Sequence, residues 1–353
     1  MIDAPVVLLG GGEHQTAFSK VNAMIFKGLS ARGVDVRSDL KPDLRNFVVI
    51  HHNFLEDFQE VVFPPADIRV AFRPWDFGPY PPAWVSKINA ETDQLWVYCN
   101  WAREKAIEGG VRADMVHVVP LGVDLAVTGF PEGQAYPFSK KAAFRFLFVG
   151  AAVHRKGMDI LLEAYRRYFS AGDDVCLVIK DHTRDVFYDQ QSYRDQIHGM
   201  VEDSSGPAVE YIDSYLPEDQ LSELIRSCDV GVYPYRAEGF ALPVLELMAR
   251  GLPCIVPRFG PCLDYSSDDS AYFVEAERIK LPLSRKLPYN TLGFQVDVAE
   301  LDFCEVPVDV LGKQMRAVYS HPEGIAEKGY AAQKRARSFT WAHTVDRMLY
   351  ALS

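Results

Sequence analysis

The sequence predicts an α/β protein of two doubly wound, parallel-sheet domains facing each other across a cleft. Three observations lead there. Short apolar runs alternate with helix-length segments along most of the chain, and strand–helix alternation builds parallel sheets covered on both faces. A chain of 353 residues has room for two domains of ordinary size. One segment without periodicity, Gly129–Ser139, carries Pro131, Gly133 and Pro137 and separates the two alternating halves.

The elements follow in order. Val6–Gly10 is the first strand, and a helix runs from about Thr16 to Ala31. Phe47–His51 and Ile68–Phe72 are strands, Pro82–Glu91 is helical, Leu95–Cys99 extended, Trp101–Glu108 helical and Val116–Pro120 extended. The second half offers the strand Phe144–Gly150, a helix from Lys156 to about Ser170 and the strand Val175–Lys180. Val209–Ile212, a helix at Pro217–Ser227, the strand Val230–Tyr235, an apolar helix from Pro243 and the strand Cys254–Val256 complete it. Pro282–Phe303 is the least regular stretch and reads as a surface excursion. Phe339–Tyr350 is an amphipathic helix with Thr340 as its cap. The expected domains are 1–135 and 140–338, followed by the helix of 339–353.

Composition narrows the class. Apolar content of 48% and charged content of 24% suit a globular core. The net charge of −11 argues against nucleic acid, whose binders concentrate Lys and Arg. No run approaches the roughly 18 apolar residues of a membrane span. The first residues lack a basic segment and read as a strand, not a signal peptide. The six cysteines form no Cys-x-x-Cys pair and read as buried thiols in a reducing cytoplasm. A cytoplasmic protein is expected, with peripheral membrane contact left open and the oligomeric state undetermined.

The most informative stretch is Glu238-Gly-Phe-Ala-Leu-Pro-Val-Leu-Glu246, two glutamates with seven residues between them. Pro243 suits the first helical position and Gly251 the position past the last turn. Glu238 therefore lies in a loop and Glu246 inside an apolar helix, where its carboxylate needs a partner. The helix start also offers backbone N–H groups to an anion. The first strand runs into Gly10-Gly11-Gly12-Glu13, which permits close backbone approach but is equally a plain tight turn. It lacks the dinucleotide fingerprint, since Gln15 stands where the last glycine should fall.

The paired-glutamate stretch resembles the signature of family 4 retaining glycosyltransferases, the group 1 glycosyltransferases, which have the GT-B fold of two Rossmann-like domains; the resemblance implies that the helix of 339–353 packs back on the first domain. The resemblance implies a sugar moved from a nucleoside-diphosphate sugar, a UDP- or GDP-sugar first among donors, to a hydroxyl acceptor. That acceptor would be a glycan, a lipid-linked sugar or a small glycoside. It implies that Glu238 lies beside the donor sugar and that Glu246 holds the ribose. Gly239, Phe240, Ala241 and Leu242 would line the donor, with Gly11 and Gly12 near the diphosphate. The turn Ala151-Ala-Val-His-Arg155-Lys156-Gly157 resembles the family's phosphate-binding turn, with Lys156 on the leaving group. The family's arginine falls at Ala151, a departure for which Arg155 or Lys180 would compensate. Ala241 replaces a glycine, and would be strained if its φ is positive.

On the acceptor side the resemblance places His51 near the acceptor hydroxyl, with His52 one residue off. Trp75 would stack on a sugar ring and Asp76 would bind its hydroxyls. Core packing of Trp75 and a structural strand-end histidine are the plainer readings of the same residues. Val118-Val-Pro-Leu-Gly122-Val-Asp124 resembles the run that ends the first domain, with a structural role at the hinge side. No bound metal and no other cofactor are expected, since no Asp-x-Asp pair lies near the cleft. Three other functions stay open: a non-catalytic nucleotide-sugar-binding subunit, which Ala151 and Ala241 would suit, a sugar-phosphate enzyme of phosphorylase or epimerase type, and a nicotinamide-dependent oxidoreductase, against which the missing dinucleotide fingerprint weighs.

Overall fold

The computed structural model describes residues 4–10, 17–41, 44–52, 58–125, 135–182, 192–282 and 300–353. Six strands form the first sheet: β1 (Val6–Leu9), β2 (Val36–Arg37), β3 (Val48–His51), β4 (Ile68–Phe72), β5 (Gln94–Val97) and β6 (Val116–Val118). Helices α1 (Ala17–Ala31), α2 (Pro82–Glu91) and α3 (Asn100–Glu108) connect them. The order is β2-β1-β3-β4-β5-β6, parallel throughout.

The second sheet contains β7 (Phe144–Gly150), β8 (Val175–Asp181), β9 (Ala208–Ile212), β10 (Val230–Val232), β11 (Cys254–Pro257) and β12 (Ala271–Val274). Its connections are α4 (Met158–Tyr168), α5 (Arg194–Glu202), α6 (Glu218–Arg226), α7 (Leu242–Ala249) and α8 (Cys262–Tyr265). The order β12-β11-β10-β7-β8-β9 is that of a dinucleotide-binding sheet. β8 is buried along its whole length, which is why Val-Cys-Leu-Val-Ile reads as one apolar run.

A hairpin, β13 (Glu277–Pro282) with β14 (Glu300–Glu305), follows, and then α9 (Val308–Ser320), α10 (Ile325–Ala336) and α11 (Trp341–Ala351). The hairpin corrects the expectation of a surface excursion up to Phe303. Leu301, Asp302, Phe303 and Cys304 are all buried, because both faces of β14 are covered. Residues 283–299 lie outside the described set.

Thr340 caps α11 by accepting from the His343 backbone N–H at 3.2 Å. The helix lies on α1, where a Cβ on Gly28 would meet Val345 at 2.5 Å. Gly122 lets 121–123 run against the start of α11: the Val123 N–H donates to Phe339, and a Cβ on Gly122 would meet the Trp341 nitrogen at 2.2 Å.

Connections reverse direction between β7 and β10 in the second sheet and between β1 and β3 in the first. Crevices open at such switch points, outside the carboxyl ends of the strands. The second sheet's switch point presents the turn 151–157 and the loop 233–241.

Candidate active site

Both loops at that switch point are shaped by residues that tolerate unusual backbone. Gly157 has φ 72°, and a Cβ there would meet the Pro234 carbonyl oxygen at 2.0 Å. The two loops can touch only because residue 157 has no side chain. Ala241 has φ 57° and ψ 49°, so alanine does occupy the left-handed region that glycine would take cheaply. Tyr265 pins that turn, its hydroxyl 3.0 Å from the Phe240 carbonyl oxygen and 3.1 Å from that of Ala241.

Four charged side chains meet in the seam between the sheets. The Lys156 ammonium donates to Glu238 Oε1. Arg155 lies 3.4 Å from the same oxygen, 2.9 Å from Asp76 Oδ2, and donates to the Ala237 carbonyl at 2.8 Å. Asp76 comes from the first sheet, in the loop after β4. Burial pushes Glu238 up, but Lys156 and Arg155 outweigh it and hold the carboxyl below its ordinary range. Burial pushes Asp76 up, Arg155 opposes, and the nearby Glu238 adds to the rise. Gly239 belongs to this contact, since a Cβ there would stand 2.7 Å from Asp76 Oδ1.

Glu246 is half-buried on α7, whose Val244, Leu245, Leu247 and Met248 are buried. Among the described residues its carboxylate accepts no hydrogen bond; only its backbone oxygen is engaged, by Arg250 at 3.1 Å. Burial raises its pKa, with Arg250 and Lys20 opposing and Glu218 adding to the rise. Phe240 is buried with its ring 6.2 Å from Tyr98, and Leu242 is half-buried at the start of α7.

Other expected site residues fall elsewhere. Trp75 is fully buried, stacked edge-on against Trp84 at 5.0 Å and Phe77 at 5.2 Å, with its indole N–H on the Pro79 carbonyl. This corrects the expectation of a sugar-stacking platform: the ring is core, wedged beside an Arg73 that lies over Trp84 at 4.6 Å. His52 is corrected too. Its ring is fully buried between Asn22 Oδ1 and the Tyr98 hydroxyl, so it braces strand ends and cannot meet an acceptor. His51 ends β3, 9% exposed, its ring 6.0 Å from Phe63. Lys180 is 1% exposed and donates to the Asp181 carbonyl at 2.9 Å. Gly11 and Gly12 lie outside the described residues. Among the described residues no group of three His, Cys, Asp or Glu could hold a metal ion.

One organising residue escaped sequence reasoning. Arg236, 4% exposed, donates to both oxygens of Asp159 at 2.7 and 2.8 Å and both of Glu305 at 2.6 and 2.8 Å. Its backbone N–H donates to the Arg155 carbonyl at 2.8 Å, so it ties the cation turn to the Glu238 loop and to β14. The only signal was a lone arginine between a strand and a glutamate.

Residues 135–281 match the family model of the glycosyl transferases group 1. That stretch is similar to the family, and the two parallel sheets have the GT-B arrangement of the solved structures below. It is 25% identical over 219 residues to MMP alpha-(1->4)-mannosyltransferase of Mycolicibacterium hassiacum, covering 60% of this chain and 47% of that one. It is 26% identical over 293 residues to D-inositol 3-phosphate glycosyltransferase 1 of Catenulispora acidiphila, covering 80% and 63%. The matched part thus spans less than two thirds of these curated relatives. Among solved structures, Anabaena HepE in complex with UDP-glucose superposes with a TM-score of 0.65 at 10% identity, over 99% of both chains. Sucrose-phosphate synthase from Thermosynechococcus elongatus gives 0.66 at 15% identity, over 99% of this chain and 100% of that one. At these identities the likeness is one of fold.

Proposed function

We propose that the chain is a retaining glycosyltransferase of the family 4 type, moving a sugar from a nucleoside-diphosphate sugar to a hydroxyl acceptor. The observation that carries this reading is the meeting of Lys156 with Glu238 at the second sheet's switch point, with the Glu246 carboxylate, which accepts no hydrogen bond among the described residues, on the helix that follows. A ribose supplies the two hydroxyl donors that a half-buried, unsatisfied carboxylate lacks. Named relatives transfer sugars, and HepE holds UDP-glucose on the same fold, which supports a UDP-sugar as the first donor to try.

In the reaction the bond between the sugar's anomeric carbon and the diphosphate oxygen breaks, and its electron pair leaves with the nucleoside diphosphate. The acceptor oxygen bonds to the same carbon from the same face, and its proton passes to the departing phosphate. Negative charge grows on the leaving group, so preorganised cations there lower the barrier. Lys156 would be one of those cations. Glu238, kept ionised by two cations, would orient the sugar's hydroxyls. Removing one such contact typically costs about 10²–10³ in rate. His51, at a strand end of the first sheet, remains the proposed neighbour of the acceptor.

A thermal-shift panel of UDP-, GDP-, ADP- and dTDP-sugars on wild type and Glu246→Ala tests this. A ligand at 100 times its Kd stabilises by about 2.7 kcal/mol. The expected result is a shift with one nucleotide class, lost in the variant. A shift that survives Glu246→Ala would remove the ribose role, and no shift with any sugar nucleotide would overturn the donor reading.

A further inference from the structure

We propose that Arg155 is the second phosphate-binding cation of this chain, and that Asp76 rests on it as a counter-anion which the donor diphosphate displaces. The proposal rests on the nucleotide-sugar reading above.

The residue at which relatives are expected to carry the arginine is Ala151, a buried methyl with no reach. Lys180, the other substitute, is turned to the Asp181 carbonyl and is 1% exposed. Arg155 is the cation that shares Glu238 with Lys156. Its Nη1 donates to the Ala237 carbonyl at 2.8 Å and is the same nitrogen that meets Asp76 and Glu238, so the guanidinium is held in the seam.

Charge balance makes the exchange necessary. Lys156 and Arg155 face Glu238 and Asp76, each side chain only 11–14% exposed, so the seam is neutral as it stands. A donor diphosphate brings about two more negative charges into the same low-dielectric space. Two carboxylates and a diphosphate on two cations would leave uncompensated buried charge, so one carboxylate must give way. Glu238 shares its loop with the backbone that holds Arg155 and keeps Lys156 as a partner. Asp76 belongs to the other sheet and, among the described residues, its one ion pair is to Arg155. Asp76 lies 2.7 Å from where a Gly239 Cβ would be, against the loop expected to line the donor, so it occupies ground that the donor needs.

The exchange has a consequence for the order of events. With donor bound, Arg155 is on phosphate and Asp76 is released at the mouth of the first sheet, where its carboxylate can take an acceptor hydroxyl. Donor binding thereby creates an acceptor contact that the empty protein lacks.

The test is titration calorimetry at fixed salt with UDP, GDP and ADP, and with inorganic pyrophosphate, on wild type, Asp76→Asn, Arg155→Gln, Arg155→Lys and the Asp76→Asn/Arg155→Gln double variant. Circular dichroism confirms folding of each. Asp76→Asn is expected to tighten the preferred nucleoside diphosphate about tenfold, a usual size for one coupled contact. Arg155→Gln is expected to weaken it roughly thirtyfold, with Arg155→Lys between, and the gain from Asp76→Asn should vanish in the double variant. Wild-type binding with no gain in Asp76→Asn overturns the proposal alone, as does a gain that persists without Arg155. Failure of wild type to bind any nucleoside diphosphate, with pyrophosphate also indifferent to Asp76→Asn, overturns the donor reading and this proposal together.

Discussion

At the scale of single residues, His52 shows how far a local pattern misleads. A His-His pair ending a strand at a cleft invites a catalytic reading. Burial decides otherwise. The Asn22 amide nitrogen donates to the carbonyls of Gly10 at 3.0 Å and His52 at 3.2 Å, so its oxygen faces the ring. The ring is then a neutral tautomer, donating from Nδ1 to Asn22 and accepting at Nε2 from Tyr98. Burial first, then His51 and Arg73, push its pKa from 6.5 down to about 3. The unfolded chain binds this proton below pH 6.5 and the folded chain does not until about pH 3. Stability from this group is therefore complete above 6.5 and is lost as pH falls through that window, by about 1.4 kcal/mol per unit. His52→Gln lacks the titration. The stability gap between wild type and variant should shrink by about 2 kcal/mol between pH 7 and pH 5, read by urea unfolding. A gap that does not change with pH would show that the ring is already charged or exposed. Trp75 failed for the same reason as His52: a Trp among prolines looks like a loop platform, and only packing reveals it as core. At Ala241 the sequence posed the sign of φ as a condition, and the backbone answers it with 57°. The Arg155–Asp76 pair was not legible, because it joins residues 79 positions apart across two sheets.

At the scale of elements, the boundaries of α7 were readable from Pro243 and Gly251, since both act through their own backbone. What seats α7 was not readable. Gly329 on α10 meets Gly251 at the end of α7, where a Cβ on Gly329 would stand 2.2 Å from the Gly251 carbonyl oxygen. That neighbour is backbone in a left-handed turn at φ 79°, and it cannot swing aside as a side chain would. Gly329→Ala should therefore push α10 away and cost about 1–3 kcal/mol, as overpacking does. Because α7 carries Glu246, the nucleotide-dependent thermal shift should shrink with it. Gly324→Ala is the control, since nothing lies within 4 Å of its Cβ position. Equal melting temperatures for the two variants would mean that α10 does not set the position of α7. β14 was missed for a related reason: Asp302 is 3% exposed between apolar neighbours, so the strand shows no alternation to find.

At the scale of the whole molecule, the alternation of strands and helices was enough to read two parallel sheets, but not how firmly they are joined. The seam is more than the charged cluster. Phe303 of β14 lies edge-on to Phe77 of the first sheet at 5.5 Å, and the Asp302 N–H donates to the Phe77 carbonyl at 3.0 Å. Asp302 is also 4.0 Å from Lys105 on α3, and Gly78 leaves room for it, a Cβ there falling 2.7 Å from Asp302 Cβ. Farther along, the Asn100 N–H donates to Asp264 at 2.8 Å. Interfaces between domains of one chain are usually polar and permit relative motion by default. This one has a buried aromatic pair and a buried carboxylate at its centre, so the two halves should lose structure together. Wild type is expected to give a single calorimetric transition. Phe303→Ala removes a ring that is 1% exposed, costing about 3–5 kcal/mol at the seam while both sheets keep their own cores. The single transition should then split in two, with the half that holds Phe77 melting at its own temperature. Nucleotide should raise only the transition of the second sheet in that variant, because Lys156, Glu238 and Glu246 all sit on it. A variant that still melts in one step, with both halves shifted by nucleotide, would place the coupling in the ion pairs and α11 rather than in the β14 strap.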